Sequence, residues 1–278
     1  MRLQPTSPYS QRTLGWRGAT TTATTARLGS VDPWDRRDDR KVYLVWVGLM
    51  WAGLIAGFGV DIPYYFLTEM PRPAWVIYVH GAVFTGWMVI LTLQVLLIQG
   101  GRIALHQKIG KYALCFAVLM MVVGPAAFLT KDAQLLANPH ADQSFIPFMS
   151  VNLDDIGGFA IFTAAGYFLR RDPASHKRMM MLAMVAMADP GFSRLSGFLI
   201  VPSPTAFIPN LLVTFYGNFL LLGLMAGWDL WRRGTLNRAF AIGAASLAAS
   251  EVVAIALMYS QTWNQIAIAI TRAWGYTG

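Results

Sequence analysis

The sequence predicts an all-α fold, a polytopic transmembrane helix bundle of about seven spans with its N-terminus inside the cell and its C-terminus outside. Of its 278 residues, 55% are hydrophobic and only 13% are charged, and the mean hydropathy of +0.46 exceeds that of an ordinary soluble domain. Apolar runs of roughly 20 residues, enough to cross about 30 Å of hydrocarbon, recur after residue 42. Lys and Arg are concentrated in alternate short loops, a bias that sets the orientation of membrane helices.

Hydropathy predicts seven helices separated by short polar loops. The predicted spans are residues 43–60, 74–99, 112–130, 147–170, 178–201, 206–231 and 239–260. The loops after the second, fourth and sixth spans are basic, whereas the alternate loops contain only Arg72 and Lys131. The basic loop residues are Arg102, Lys108, Lys111, Arg170, Arg171, Lys177, Arg178, Arg232, Arg233 and Arg238. Because cytoplasmic loops carry the excess of Lys and Arg, we place these three loops inside the cell.

The two ends of the chain are predicted to lie outside the transmembrane domain, which covers residues 43–260. Residues 1–42 are rich in Arg, Ser and Thr and predict a disordered basic cytoplasmic tail; an organelle transit peptide has the same composition and is the alternative. Residues 261–278, with Trp263 and Trp274 at interface-like spacing, predict a short interfacial tail. The net charge of +8 is explained by the basic loops, so the expected partner is the bilayer of the cell inner membrane and not nucleic acid.

Ionisable residues within the predicted spans are the most informative feature of the sequence, because a charge in the bilayer costs about 2.5 to 3.5 kcal/mol and usually faces protein or water. Their depths, counted along each helix, place them together in the outer half of the membrane. They are His80, Asp154, Asp155, Asp189, Arg194 and Glu251, with Asn152 as a neutral neighbour. Pro190 predicts a kink at the same level.

The ionisable residues at this common depth predict a polar site in the outer half of the membrane. Asp189, Glu251 and Asp154 are the candidate proton acceptors or catalytic acids. The candidate ligand-binding residues are His80, Asp155, Arg194 and Asn152, with Arg194 as counter-ion. In the alternative interpretation, Arg194 pairs with Asp189 or Asp155 and only neutralises the cluster.

Two further histidines, His106 and His176, begin predicted helices in the related stretches GRIALHQKIGKYAL and RDPASHKRMMMLAM. In one interpretation they are interfacial residues near lipid phosphates. In the other they are axial ligands of a b-type haem at the inner edge, with nearby Arg and Lys available for its propionates. His80 could instead hold haem with a different ligand, or a small metal ion together with the intramembrane carboxylates.

The stretch HGAVFTGWMVILTLQVLLIQGGRIALHQKIGKYAL, followed by RRDPASHKRMMMLA and by Pro190 and Arg194, resembles a group of uncharacterised bacterial multi-pass inner-membrane proteins. Their shared features are an LHxxxG turn and an HKRxM helix start. The resemblance covers roughly residues 74–196 and is similar in style to cytochrome b-type bundles. It implies the fold and the compartment.

Four functions fit these features. The first is the binding of a small ligand, cation or quinone-like group, or the handling of protons. The second is a membrane redox protein that carries b-type haem or another metal. The third is a membrane-embedded enzyme that acts on a lipid-like or isoprenoid substrate through a carboxylic acid, and the fourth is a structural subunit of a membrane complex. The sequence contains no P-loop, dinucleotide fingerprint, HExxH zinc site or GxSxG elbow.

Overall fold

The computed structural model describes residues 37–67, 72–196 and 206–275, and within them every regular element is helical. A short 3-10 helix, Gln143–Phe148, precedes the fourth α-helix. The α-helices are α1 (Arg37–Leu67), α2 (Trp75–Gln99), α3 (Ile103–Ala137), α4 (Met149–Phe168), α5 (Pro173–Val185), α6 (Asp189–Ser196), α7 (Phe207–Arg233), α8 (Arg238–Met258) and α9 (Gln261–Trp274).

Six helical segments in the described residues are long and apolar enough to cross a membrane, as expected of a multi-pass membrane protein. They lie in α1, α2, α3, the 3-10 helix with α4, α7 and α8. The sequence predicted a seventh, at residues 178–201, but this region is not one continuous helix. Helix α5 ends at Val185, α6 begins at Asp189, and residues 197–201 lie outside the described residues. Helix α1 begins at Arg37 and not at residue 43, and residues 1–36 of the predicted tail also lie outside the described residues.

The kink predicted at Pro190 is a complete break between α5 and α6. Pro190 has no N–H to donate to the carbonyl group of Ala186, and its ring is tolerated only in the first turn of a helix. The chain therefore turns at residues 186–188, and Pro190 becomes the second residue of α6. The amides of Gly191 and Phe192 both donate to the carbonyl oxygen of Ala188, at 3.2 and 3.3 Å.

The broken segment lies in the interior of the bundle. Every residue in the range 181–189 is buried. Helix α5 packs against α4 and α8, and α6 packs against α1 and α7. Irregular backbone at membrane depth is tolerated only where protein or water covers it, so the surrounding helices are what permit this break.

Glycine contacts hold α6 against its neighbours. A Cβ atom on Gly57 of α1 would overlap the carbonyl oxygen of Gly191, and one on Gly191 would lie 2.9 Å from the Cα atom of Leu54. The ring of Phe192 occupies the space beside Gly53 of α1 and Gly217 of α7. Small residues are thus required at these positions because two helix backbones and one aromatic ring fill the available space.

Contacts divide the bundle into two ends. The basic end consists of the start of α1 and the turns α2–α3, α4–α5 and α7–α8; there Ser175 bonds to Asn237, and His106 contacts His176. The opposite end consists of the 3-10 helix, the end of α8 and α9. Its hydrogen bonds include Ser150 Oγ to the Ala254 carbonyl oxygen and Trp263 Nε1 to the Pro147 carbonyl oxygen, at 2.7 and 2.9 Å.

A buried ionic network at the basic end joins α1, α5 and α7. Arg178 donates from Nε and Nη2 to the two carboxylate oxygens of Asp229, at 2.8 and 2.6 Å, and both side chains are 2% exposed. Arg233 bonds to Asp229 at 2.8 Å and also to Asp39, which Lys177 approaches at 3.5 Å. The sequence predicted the three basic residues only as loop charges and gave no indication of Asp39 and Asp229 as their partners.

Helix α9, which covers most of the predicted interfacial tail, packs against α3 and the 3-10 helix. Ala267 and Thr271 are buried in that contact, and Trp274 Nε1 donates to Thr130 Oγ1 at 3.3 Å. Its placement along a membrane surface stays a prediction.

Replacing Asp229 by Asn should destabilise the protein by about 3 to 5 kcal/mol, because the buried Arg178 loses the carboxylate that balances its charge. Denaturation of the purified protein in mixed micelles measures this change. The exposed Asp142→Asn variant is the control and should be neutral. The double variant Arg178→Met with Asp229→Leu should recover most of the loss; a double variant as unstable as Asp229→Asn would contradict the explanation.

Replacing Gly57 by Ala should destabilise the protein by about 1 to 3 kcal/mol, because the new methyl group meets backbone atoms of α6 that cannot move aside. Gly59, on the same helix, is the matched control, since a Cβ atom added there would have no neighbour within 4 Å. Gly59→Ala should be neutral or slightly stabilising, because alanine favours a helix. Equal thermal stability of the two variants would show that the α1–α6 contact is not tight.

Candidate functional site

Four acidic side chains from three helices form what we name the carboxyl cluster: Asp154 and Asp155 of α4, Asp189 of α6 and Glu251 of α8. Electrostatic interactions connect Asp155 with the other three. Asp189 reaches the cluster because it follows the turn at residues 186–188 and begins α6, where the helix dipole favours an acidic side chain. Adjacent residues on a helix point about 100° apart, so Asp155 is buried while Asp154 is half-buried.

The carboxyl groups of Asp155 and Asp189 are neighbours in the interior of the bundle. Asp155 is 7% exposed and Asp189 is 2% exposed. A carboxylate can only accept hydrogen bonds, so a bond between two carboxyl groups requires a proton on one of them. A hydrogen bond between these two groups would place a shared proton in this pair.

Glu251 and Asp154 have neutral polar neighbours. Asn218 Nδ2 of α7 donates to Glu251 Oε1 at 2.8 Å, and both side chains are fully buried. The Ser250 hydroxyl group, one residue before Glu251 on α8, lies beside Asp154 and donates to the carbonyl oxygen of Leu247 at 2.9 Å. Amide and hydroxyl groups satisfy a carboxyl group without supplying a positive charge.

Several buried oxygen atoms in and beside the carboxyl cluster have no hydrogen-bond partner among the described residues. They are Oδ1 of Asp189, Oε2 of Glu251, Oδ2 of Asp154 and Oδ1 of Asn218. An unsatisfied buried polar atom is costly, which makes these atoms ready acceptors for a proton-bearing group.

Arg194 binds Asp61, a residue that was not singled out from the sequence. Its Nε donates to Oδ2 of Asp61 on α1 at 2.9 Å, its Nη1 donates to the carbonyl oxygen of Pro190, and its guanidinium group lies 4.2 Å from the centre of the Phe58 ring. The predicted pairing of Arg194 with Asp189 or Asp155 is therefore not found. Within the described residues no ion pair reaches the carboxyl cluster.

His80 and Asn152 are not bonded to the carboxyl cluster. The His80 ring stacks on Phe84 with ring centres 4.0 Å apart, and its buried Nδ1 atom has no partner among the described residues. Asn152 is half-buried, and the described part of the chain supplies no hydrogen bond to its side chain. The described residues also contain no group of three or more His, Cys, Asp or Glu side chains placed to hold one metal ion.

His106 and His176 meet at the basic end. Their ring centres are 6.2 Å apart and the ring planes are at 82°. His176 Nδ1 lies 2.7 Å from the carbonyl oxygen of Gly166 on α4, and the side-chain amide of Gln94 on α2 contacts His106 Nδ1. The structure therefore brings this predicted pair together, away from His80.

Sequence reasoning missed Asn218, Ser250 and Asp61. Asn218 is a polar residue in the middle of an apolar span, which is the same signal that identified Glu251. Asp61 was placed just beyond the predicted first span, whereas α1 continues to Leu67. Ser250 carried no signal, because serine is common in membrane helices.

Comparisons with known proteins do not extend this description: no family model, no curated protein and no solved structure matches the chain.

Proposed function

We propose that this membrane protein binds and releases protons at the carboxyl cluster. The placement of Asp155 and Asp189 as buried neighbours without an ion pair among the described residues carries the proposal, because two adjacent carboxyl groups in the interior are not both ionised. Pairs of carboxyl groups that share a proton are a known means of holding one carboxyl neutral beside another that is ionised.

The charge balance of the site supports the proposal. Full ionisation would place four negative charges close together in a buried region, and no cation is paired with any of them in the described residues. Burial of unpaired carboxylates is strongly unfavourable, so protons are the simplest compensating charge. The acceptor atoms without partners on Asp189 and Glu251 provide further positions for protons.

The half-buried Asp154 is suited to exchange protons between the cluster and its surroundings. It is adjacent to Asp155 in sequence and only half-buried, and the Ser250 hydroxyl group lies beside it. The ion pair between Arg194 and Asp61 lies on the more exposed side of α6, with side chains 35% and 45% exposed. We infer that this ion pair holds α6 in place; Arg194 acts on Asp189 only through longer-range electrostatics, without a direct ion pair.

We further propose that α5 and α6 together form the seventh crossing, with the basic end inside the cell. Helices α5 and α6 contain 13 and 8 residues, which together amount to about 32 Å of helix on the two sides of the turn at residues 186–188. The start of α1 lies at the basic end and the end of α8 at the opposite end, which requires an odd number of crossings.

The orientation has a direct test in cells with Cys115 replaced by Ala. A cysteine at the exposed His140, in the α3–α4 connection, should react with a membrane-impermeant maleimide added outside. A cysteine at Thr235, in the exposed α7–α8 turn, should react only after the membrane is permeabilised. The reverse labelling pattern would invert the proposed orientation.

Protonated carboxyl groups can be observed by infrared difference spectroscopy of the protein in lipid. We expect a carboxylic-acid C=O band at neutral pH that shifts in deuterated water and disappears on alkaline perfusion. Asp189→Asn should remove or displace this band because it breaks the shared-proton pair, and Asp155→Asn should act on the same band.

Asp132→Asn is the matched control, since Asp132 is a buried carboxyl group of α3 outside the cluster. It should leave the cluster band in place, and so should Arg194→Gln if Arg194 is not the counter-ion. A spectrum without a protonated carboxyl at neutral pH, or a band that survives both cluster substitutions in folded protein, would refute proton binding at this site.

A further inference from the structure

A groove lies between α1 and α7, next to the place where α6 is packed. Beyond the α5–α6 break, the Phe192 ring of α6 fills the space beside Gly53 of α1 and Gly217 of α7. Toward the basic end, α6 no longer separates these two helices, and α5 packs mainly against α4 and α8. The space between residues 42–49 of α1 and residues 223–231 of α7 is therefore open, and it forms a groove of about 340 Å³ that we name the α1–α7 groove.

The α1–α7 groove is apolar and opens at the surface of the bundle. Every residue that lines it is aliphatic, aromatic or glycine. Trp46 forms a buried part of the wall, whereas Val45, Leu224 and Trp231 are exposed. Both helices are long and apolar enough to cross a membrane, so the groove faces the hydrocarbon of the bilayer.

Two glycines of α7 give the groove its depth. Gly223 and Gly227 line it and are four residues apart, which places them on one face of the helix. A Cβ atom added at either position would meet nothing within 4 Å, whereas one added to Gly217 would overlap the Phe192 ring. The glycine contact beside α6 is thus filled, and the glycine pair in the groove borders open space.

The size of the groove favours a hydrocarbon chain over another helix. Its lining segments amount to about 12 to 14 Å of helix. A helix is about 10 Å across and occupies about 1,000 Å³ over this length, about three times the volume of the groove. A hydrocarbon chain is only about 4 Å wide at carbon contact distance and fits between the two walls. Water is a poor occupant because the lining is apolar.

Cationic side chains stand at the end of the groove that lies nearest the basic turns. Lys41 is exposed and precedes Val45 by four residues, so it continues the lining row of α1. On α7, the guanidinium group of Arg232 lies 5.6 and 5.5 Å from the ring centres of Trp228 and Trp231. Both of these tryptophans line the groove. An apolar channel therefore ends between positive charges contributed by two helices.

The acidic neighbour of Trp228 does not cancel these charges. Asp39 accepts a hydrogen bond from Trp228 Nε1 at 3.3 Å, and its carboxylate is paired with Arg233 and Lys177. Tryptophan is also typical of the depth at which lipid head groups begin. Basic side chains beside a gap between membrane helices are the pattern that recognises anionic lipid head groups.

We propose that the α1–α7 groove binds one acyl chain of an anionic phospholipid, with the lipid phosphate group beside Lys41 and Arg232. The two cations donate charge-assisted hydrogen bonds to the phosphate oxygens, and the apolar walls cover the chain. This lipid site is separate from the carboxyl cluster and does not depend on proton binding there.

The test is native mass spectrometry of the purified full-length protein, titrated in detergent with dioleoyl phosphatidylglycerol or with dioleoyl phosphatidylcholine. We expect one phosphatidylglycerol per chain to be retained at concentrations at which phosphatidylcholine, with the same acyl chains, is lost. Phosphatidylglycerol should also raise the melting temperature, because a ligand that binds only the folded state stabilises it. Soluble glycerophosphoglycerol, which has the head group without the chains, should do neither.

Replacing Gly227 by Leu should lower the affinity for phosphatidylglycerol at least tenfold, because the new side chain occupies the groove. Gly59→Leu is the matched control, since Gly59 of α1 also borders open space but does not line the groove. It should bind the lipid as the wild type does. Gly223→Leu, at the other open glycine, replaces Gly227→Leu if that variant is not monodisperse.

Replacing Lys41 by Gln should lower the affinity for phosphatidylglycerol about fivefold and leave that for phosphatidylcholine unchanged, because one cation beside the phosphate is lost. Lys108→Gln is the control, since Lys108 is an exposed cation in the first turns of α3 and does not adjoin the groove. It should leave both affinities unchanged.

The proposal is wrong if the wild-type protein retains the two lipids equally, or if a folded groove-filling variant binds phosphatidylglycerol as tightly as the wild type. An unchanged preference for phosphatidylglycerol in Lys41→Gln would refute the placement of the phosphate. A wild-type dimer that Gly227→Leu converts to a monomer would also overturn the proposal, because the groove would then be an interface between two copies of the chain.

Discussion

The enclosure of the segment Met181–Asp189 is the constraint on which the structure depends. In hydrocarbon, a break in a helix exposes backbone groups that have no water to bind, and a carboxyl group such as Asp189 would be equally unfavourable. Here α1, α4, α7 and α8 surround α5 and α6, so the turn at residues 186–188 is covered by protein. The same surrounding helices also keep the acidic side chain of Asp189 away from the hydrocarbon.

Different interactions hold the two helices on either side of the break, α5 and α6. At the basic end, Arg178 of α5 is fixed by the carboxylate of Asp229, and Arg233 extends the network to Asp39. Beyond the break, α6 is held by close packing, because Gly57 and Gly191 allow two backbones to meet without side chains between them. Ion pairs thus hold α5, and close backbone packing holds α6. The carboxyl cluster lies where these two helices meet.

The two polar sites share this scaffold. His176 lies in the first turn of α5 and Asp189 begins α6, so most of α5 and the turn at residues 186–188 separate them. The histidine rings are positioned by Gly166 and Gln94, and the carboxyl cluster is buried without an ion pair among the described residues. Both conditions follow from packing around one central segment, although the chemistry at each site is separate.

Composition and spacing by themselves determined that the chain is helical and apolar enough to cross a membrane, because a 20-residue apolar run needs no tertiary information to be recognised. They also indicated Asp154, Asp155, Asp189 and Glu251, since ionisable residues in such runs are rare. Tertiary structure alone decided the partners. Arg194 bonds to Asp61 and not to Asp189, and Asn218 donates a hydrogen bond to Glu251. Depth along a helix can be counted from sequence, but the direction in which a side chain points depends on the break before Pro190 and on how closely the neighbouring helices approach.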